Sequence, residues 1–446
     1  MRVPIPRDLS SLLQAGMWRS LASLGIKVGT AGLTYLTYVV LSRTQTPDEY
    51  GHFAFGLALA TVLAIVAGVG QPLAAMRLWA EQRGNGDAAA ARETIAAGST
   101  ITFLASIALG VVLCLLTLAY LPFLAPGDTA NHIYAAAILI LPLALSEYNS
   151  AALRAQGSLW TALLPRDIFW RLLLPVAVIL LFLQGHVLSG PDALVLSAGI
   201  LMLMLALQMQ VGGRRYAIWP AMAPVRSHLR RWGRLSFWLL MGALIETLAL
   251  NIDVILVGLM LDLESAGLYF NAFRTAGLMT LFTFAIELVI APMVAEHYYA
   301  GNMRKAQAVT TLCAWAGFIF SLLIFAGFAF FGDLVLSLFG PSYEQGWLIL
   351  ILLAFGLLFD AATGPSKIVM MMTGHERAYV AIYGAITLAG VALQVALIPI
   401  YGILGAALVN MGARILAQMA IAFWCRYRIG LDTSLIGLLA LRRLPA

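Results

Sequence analysis

A chain of 446 residues that is 61% hydrophobic and 11% charged, with a mean hydropathy of +0.90, has too little polar surface to fold as a water-soluble domain. Its net charge of +6 is spread over many short segments and forms no single duplex-binding face, which excludes a nucleic-acid partner. What remains is an all-α polytopic membrane protein, each apolar run being able to cross a hydrocarbon core of ~30 Å as about 20 helical residues.

Apolar runs between turn signals predict twelve spans. In the first half they lie near residues 20–42, 51–75, 95–121, 131–153, 160–184 and 190–211. In the second they lie near 234–260, 267–295, 306–331, 345–370, 377–399 and 402–424. The first run is full length and lacks a cleavage site, so no cleavable signal peptide is expected. Alternate connections collect the basic residues: Arg2, Arg7 and Arg19; Arg77, Arg83 and Arg92; Arg154; Arg214, Arg215, Arg226, Arg230, Arg231 and Arg234; Arg304 and Lys305; Arg377; and Arg426, Arg428, Arg442 and Arg443. The opposite set holds Arg43 alone, beside Asp48, Glu49, Asp128, Asp192, Asp262, Glu264, Asp333 and Glu344. The positive-inside rule then places both termini in the cytoplasm and requires an even number of spans.

The longest polar connection, Gly212 to Gly233, carries three glycines, two prolines and a basic cluster. It divides the chain into a cytoplasmic amphipathic segment at 1–19, a six-helix lobe at 20–212, a basic cytoplasmic linker at 213–233, a second six-helix lobe at 234–425 and an amphipathic tail at 426–446. Stretches 8–24 and 431–444 read as interfacial helices. The halves align at an offset of about 216. Asp48-Glu49-Tyr50-Gly51-His52-Phe53-Ala54 faces Glu264-Ser265-Ala266-Gly267-Leu268-Tyr269-Phe270, Arg154-Ala155-Gln156-Gly157 faces Met371-Met372-Thr373-Gly374, and Gly185 faces Gly402. Six spans per half make the repeats parallel, as in one class of secondary transporters, with a cavity expected between them.

A charge at mid-bilayer costs at least about 2.5–3.5 kcal/mol, so each one needs a partner, a wet cavity or a task. In the first span Ser20, Ser23, Lys27, Thr30, Thr34 and Thr37 form one polar stripe, which suits either a cavity lining or a tight helix seam; only the former explains Lys27. In the fourth, Glu147, Ser150 and Arg154 share a face. The fifth opens with Arg166, Asp167 and Arg171, the last two spaced as an i,i+4 ion pair. In the seventh, Glu246, Leu250 and Asp253 share a face with Asn251 beside them, a site for a proton or Na⁺ or else an interface hydrogen bond. The eighth carries Asn271, Arg274 and Glu287; the tenth, Asp360, Gly364 and Lys367; the twelfth, Asn410, Arg414 and Gln418. Lys27, Arg166, Arg171, Arg274, Lys367 and Arg414 are thus the candidate cationic binding group. Glu246, Asp253, Asn251 and Asp360 are the candidates for cation coupling. Fixed positive charge suits an anionic solute such as a phosphate; the matching anions also permit a purely structural network.

Catalysis finds no support. The outer connections are short, and the histidines (His52, His132, His186, His228, His297 and His375) read as isolated. No Walker A motif is present. Cys114, Cys313 and Cys425 lack metal or redox spacing and read as small buried hydrophobes, and no cofactor is expected.

The turns carry a family likeness. Asp48-Glu49-Tyr50-Gly51, Gly267-Leu268-Tyr269, Ala291-Pro292, Thr373-Gly374-His375-Glu376 and Tyr401-Gly402-Ile403-Leu404-Gly405-Ala406-Ala407 occur in order along nearly the whole chain. With them the chain resembles the bacterial polysaccharide transporters, oligosaccharide flippases of the MOP superfamily related to the MATE exporters and the lipid II flippases. The resemblance implies a MATE-like fold in the bacterial inner membrane and alternating access between two lobes. It also implies movement of an undecaprenyl-pyrophosphate-linked oligosaccharide to the outer leaflet, with membrane lipids and polysaccharide polymerase or export proteins as partners. The competing readings are a cation-coupled multidrug exporter of the same fold and a membrane glycosyltransferase, polymerase or ligase.

Overall fold

The computed structural model describes residues 7–120, 130–212, 218 and 225–441. Arg2, Asp128, Arg214, Arg215, Arg442 and Arg443, with most of the 213–233 linker, lie outside the described residues. Every regular element is helical, and no strand occurs among the described residues. Among the described residues eight helices are long and apolar enough to cross a bilayer, and a bent pair makes nine. Of the twelve expected spans, the last two are joined in one helix and the fifth is interrupted.

In chain order the helices are α1 (Arg7–Thr44), α2 (Pro47–Ala67), α3 (Gln71–Gly84), α4 (Ala88–Tyr120), α5 (Asn131–Ala155), α6 (Leu159–Leu163), α7 (Trp170–Leu183), α8 (Gly190–Gly212) and α9 (Val225–Met260). There follow α10 (Leu263–Ala276), α11 (Thr280–Tyr299), α12 (Met303–Ser337), α13 (Trp347–Thr363), α14 (Ser366–Met372), α15 (Glu376–Trp424) and α16 (Gly437–Leu441). Breaks fall where the sequence weakens the helix ladder. Val69 and Gly70 take positive φ between α2 and α3, and Gly402 (φ 60°, ψ −146°) splits α15 into the two expected spans. A π-helical turn, Leu164–Phe169, joins α6 to α7 where Pro165 lacks an N–H to donate.

Contacts divide the chain into two compact units, residues 1–37 with 60–243, and residues 38–59 with 244–446. In the first unit α5 is the central helix, packed against α3, α4, α6 and α8. Its apolar window is 78% buried, against 22% for α4. Lipid supplies no hydrophobic drive between helices, so close approach depends on small residues; α5 buries Ala135, Ala136, Ala144, Ala151 and Ala152. Tyr148 fills the space left by Gly98 and donates to the Ile95 carbonyl at 2.6 Å.

In the second unit α13 is central, against α10, α12 and α15. Here the two aligned turn motifs meet at their glycines. A Cβ on Gly51 would strike the Leu263 carbonyl, and one on Gly267 would lie 3.2 Å from the Gly51 Cα. Tyr50 seals the crossing by donating to Asn271 Oδ1 at 2.5 Å. Arg43, the one basic residue of its set, caps the C-terminus of α12: Nε donates to the Leu338 carbonyl at 2.8 Å and Nη2 to that of Ser337 at 2.5 Å. The tail expected as an interfacial helix over 431–444 differs. Among its described residues it is helical only at Gly437–Leu441, and Leu431–Thr433 are buried. Cys425 is buried, whereas Cys114 and Cys313 are half-buried.

Candidate functional site

The intramembrane charges of the first unit gather on the π turn. Lys27 of α1 reaches Asp167 at 3.2 Å, with side-chain exposures of 42% and 5%. Arg166 pairs with Glu147 of α5. Arg171 donates to Thr34 Oγ1 at 2.5 Å and stacks over Trp170 with 5.1 Å to the ring centroid. Asp167 and Arg171, spaced i,i+4, meet Lys27 and Thr34 of α1. The π turn winds with i→i+5 bonds, and Asp167 on it meets Lys27 of α1. The stripe on α1 faces the fifth span: Thr30 and Thr37 are buried, Thr37 donates to the Arg171 carbonyl at 3.2 Å, and Thr34 and Lys27 are partly open. Among the described groups named here, Lys27, Arg166 and Arg171 outnumber Glu147 and Asp167.

The second unit holds the other three cations with an excess of acids. Lys367 pairs with Glu246 at 2.7 Å, both side chains partly exposed. Arg414 pairs with Asp360 at 2.7 Å, at exposures of 16% and 21%. Arg274 donates to Asn251 Oδ1 at 3.0 Å and lies over the Phe270 ring. Asp253 takes three uncharged donors instead: Tyr269 Oη at 2.6 Å, Gln394 Nε2 at 2.8 Å and Asn410 Nδ2 at 2.6 Å. Glu287 interacts electrostatically with Lys367, Asp360 and Glu246. The four residues expected to act together on a cation therefore fall into separate pairings. Glu246 and Asp253, two turns apart on α9, turn to different neighbours, because α14 supplies an ammonium to one and α15 supplies amides to the other.

A cavity of about 50 Å³ opens beside Asp253, lined also by Tyr383, Gln394, Asn410 and Arg414. Arg414 acts electrostatically on both Asp253 and Asp360. Among the described residues no three His, Cys, Asp or Glu side chains converge as metal ligands. The sequence reading left Gln394, Tyr269 and Tyr383 out of the site. Gln394, the one amide side chain in the expected eleventh span at 377–399, is the available signal. His52 is not isolated as expected, since its Nε2 lies 3.6 Å from Asp48 Oδ2 one helical turn away.

A family model described as polysaccharide biosynthesis protein matches residues 19–298. No curated protein matches. Among solved structures the chain is similar to an inward-facing multidrug resistance MATE transporter of the MOP superfamily (TM-score 0.66, 16% identity, covering 93% of this chain and 96% of that one). It is also similar to the outward-facing conformation of such a transporter (TM-score 0.58, 16% identity, 96% of each chain). A third is a MOP superfamily transporter from Pyrococcus furiosus for which reverse polarity of the binding pocket suggests a different function (TM-score 0.55, 17% identity, 92% and 95%). With the family model covering more than half of its length, the chain belongs to the polysaccharide biosynthesis protein family, in an all-α membrane fold shared with the MATE transporters of the MOP superfamily.

Proposed function

We propose that this protein is a flippase that carries a polyprenyl-pyrophosphate-linked oligosaccharide from the inner to the outer leaflet of a bacterial cytoplasmic membrane, by alternating access and with both termini in the cytoplasm. Family membership supports the polysaccharide role and the fold supports transport. The observation that carries the reading is the uneven division of charge. Among the described residues, Lys27, Arg166 and Arg171 lie with Glu147 and Asp167 in the first unit, whereas Glu246, Asp253, Glu287 and Asp360 outnumber Arg274, Lys367 and Arg414 in the second.

We assign the pyrophosphate first to Lys27, Arg166 and Arg171. Lys27 has three donors, and Asp167 takes one of them in a side chain that is 42% exposed. Within the second unit Arg274, Lys367 and Arg414 are further candidate cations, and each must exchange its present partner for phosphate. The acid-rich unit is assigned to a coupling cation: Asp253 and Asp360 as its charges, with Glu246 and Asn251 on the same helix as Asp253. With the cytoplasm negative, moving about two uncompensated charges outward yields roughly 4–5 kcal/mol per 100 mV, so the potential alone supplies much of the drive.

The test is complementation of a strain in which a lipid-linked glycan accumulates on the inner leaflet. The wild-type chain restores surface glycan, and Lys27→Ala with Arg171→Ala does not. The acidic excess of the second unit is the one feature that suits export of organic cations instead. Restored drug efflux without restored glycan would decide for that reading.

A further inference from the structure

The end of the chain returns to the interruption between α13 and α14. Beyond a second π turn, Cys425–Ile429, residues Leu431–Leu435 run without helix, with Leu431, Asp432 and Thr433 buried. They lie against Gly364 (φ +66°) and Pro365, where the span loses its ladder. In a continuous helix the Ser366 N–H would donate to the Ala362 carbonyl. Here it turns to Gly364 O at 2.7 Å, and Leu435 N–H takes the Ala362 carbonyl at 3.0 Å. The tail thus supplies the hydrogen bond that the break removes, in surroundings where an unpaired carbonyl is costly.

Two further contacts fix it. Gln307 of α12, fully buried, grips residue 432 by both backbone groups, donating to its carbonyl at 2.6 Å and accepting its N–H at 2.8 Å. Thr433 Oγ1 shares a 2.6 Å hydrogen bond with Ser366 Oγ. The fit leaves no slack: a Cβ on Gly364 would strike the Thr433 carbonyl, and one on Gly437 would lie 2.5 Å from the Asp432 carbonyl.

The interruption also separates Asp360, one turn before it, from Lys367, one turn after it. Both are committed to ion pairs of 2.7 Å, with Arg414 and Glu246. The orientation of α14 relative to α13 therefore decides whether both pairs form together. We propose that Leu431–Leu435 is a strap that sets this orientation, with Thr433, Gln307 and Gly364 as positioning residues for the Asp360–Arg414 and Lys367–Glu246 pairs. The inference takes from the flippase reading only the assignment of these pairs to transport; the mechanical claim stands without it.

Coupling of this kind is reciprocal: if the strap orders the ion pairs, breaking an ion pair must loosen the strap. Cys425 reports on it from within, since it is fully buried and its Sγ donates to the Ser366 carbonyl at 3.7 Å. The experiment follows alkylation of each cysteine by N-ethylmaleimide in the purified full-length chain, resolved by peptide mass spectrometry. Wild type and Thr433→Ser should label Cys425 slowly, and Thr433→Val several-fold faster. Asp360→Asn and Arg414→Gln should also accelerate it several-fold, with Cys114 in the other unit labelled at its wild-type rate. The proposal is overturned if Thr433→Val or Asp360→Asn leaves the Cys425 rate unchanged, or if Cys114 accelerates by the same factor. Should Thr433→Val give no folded protein, the Asp360→Asn arm decides alone. Because no transported solute enters the assay, failure of the flippase reading leaves its outcome intact.

Discussion

Replacing Asp253 by leucine tests the site in the second unit at its most connected point. The side chain is nearly the same size, so the main loss is the acceptor for Tyr269, Gln394 and Asn410 at 2.6, 2.8 and 2.6 Å. Interhelical polar contacts in membranes average about 0.6 kcal/mol and reach about 1.7, so three of them are worth about 2–5 kcal/mol. Gln394 has a second acceptor in the Ala406 carbonyl at 3.4 Å, which puts the expected loss for Asp253→Leu at about 2–3 kcal/mol on that scale. Asp253→Asn keeps one acceptor oxygen but sets an NH₂ against neighbouring donors, at a cost of about 1 kcal/mol. The assay is reversible unfolding of the purified protein in mixed micelles, followed by far-UV circular dichroism. Tyr269→Phe should destabilise the wild type but add little to Asp253→Leu, because its partner is already gone. A stability of Asp253→Leu within about 0.5 kcal/mol of wild type would refute the reasoning, since the three donors would then be indifferent to the carboxylate.

Three further substitutions probe the frame. Gly51→Val drives a branched side chain into the Leu263 carbonyl and should abolish folded protein in membranes, while Gly267→Ala, whose nearest neighbours lie at 3.2–3.3 Å, should retain a reduced yield by fluorescence-detected gel filtration. Arg43→Ala removes the cap on α12 and should cost about 0.5–1 kcal/mol in the same unfolding assay, with Arg43→Lys recovering part of it. Arg166→Ala strands Glu147 and should fall toward the lower end of about 3–5 kcal/mol, because the pair is partly exposed; Arg166→Ala combined with Glu147→Ala should regain most of that loss.

Much of this architecture is legible in the chain. Hydropathy and the arginine pattern give the spans, and the aligned turns around Gly51 and Gly267 mark a place where backbones must approach closely. Their meeting one another is a tertiary fact that alignment alone does not carry. The list of intramembrane charges was also readable, but their partners were not. The spacing of Asp167 and Arg171 suggests a local pair, but it does not announce the π turn at Pro165 or the contacts of the two side chains with Lys27 and Thr34 of α1. Glu246 and Asp253 share a face in sequence, yet what each binds is set by α14 and α15. The strap was invisible because backbone groups carry its contacts, and Leu431–Leu441 mimics an amphipathic helix in its apolar spacing.

The central claim, outward movement of a pyrophosphate-linked glycan through fixed positive charge, is most directly tested in proteoliposomes. A fluorescent polyprenyl-pyrophosphate oligosaccharide is loaded into both leaflets, a potassium diffusion potential is imposed with valinomycin, and headgroup exposure is read with an impermeant quencher. The account predicts protein-dependent flux that rises with the potential in the direction that moves the anion to the positive side, and that falls at least tenfold in Lys27→Ala and in Arg171→Ala. Flux equal to that of protein-free liposomes, or flux that Lys27→Ala and Arg171→Ala leave unchanged, would contradict it.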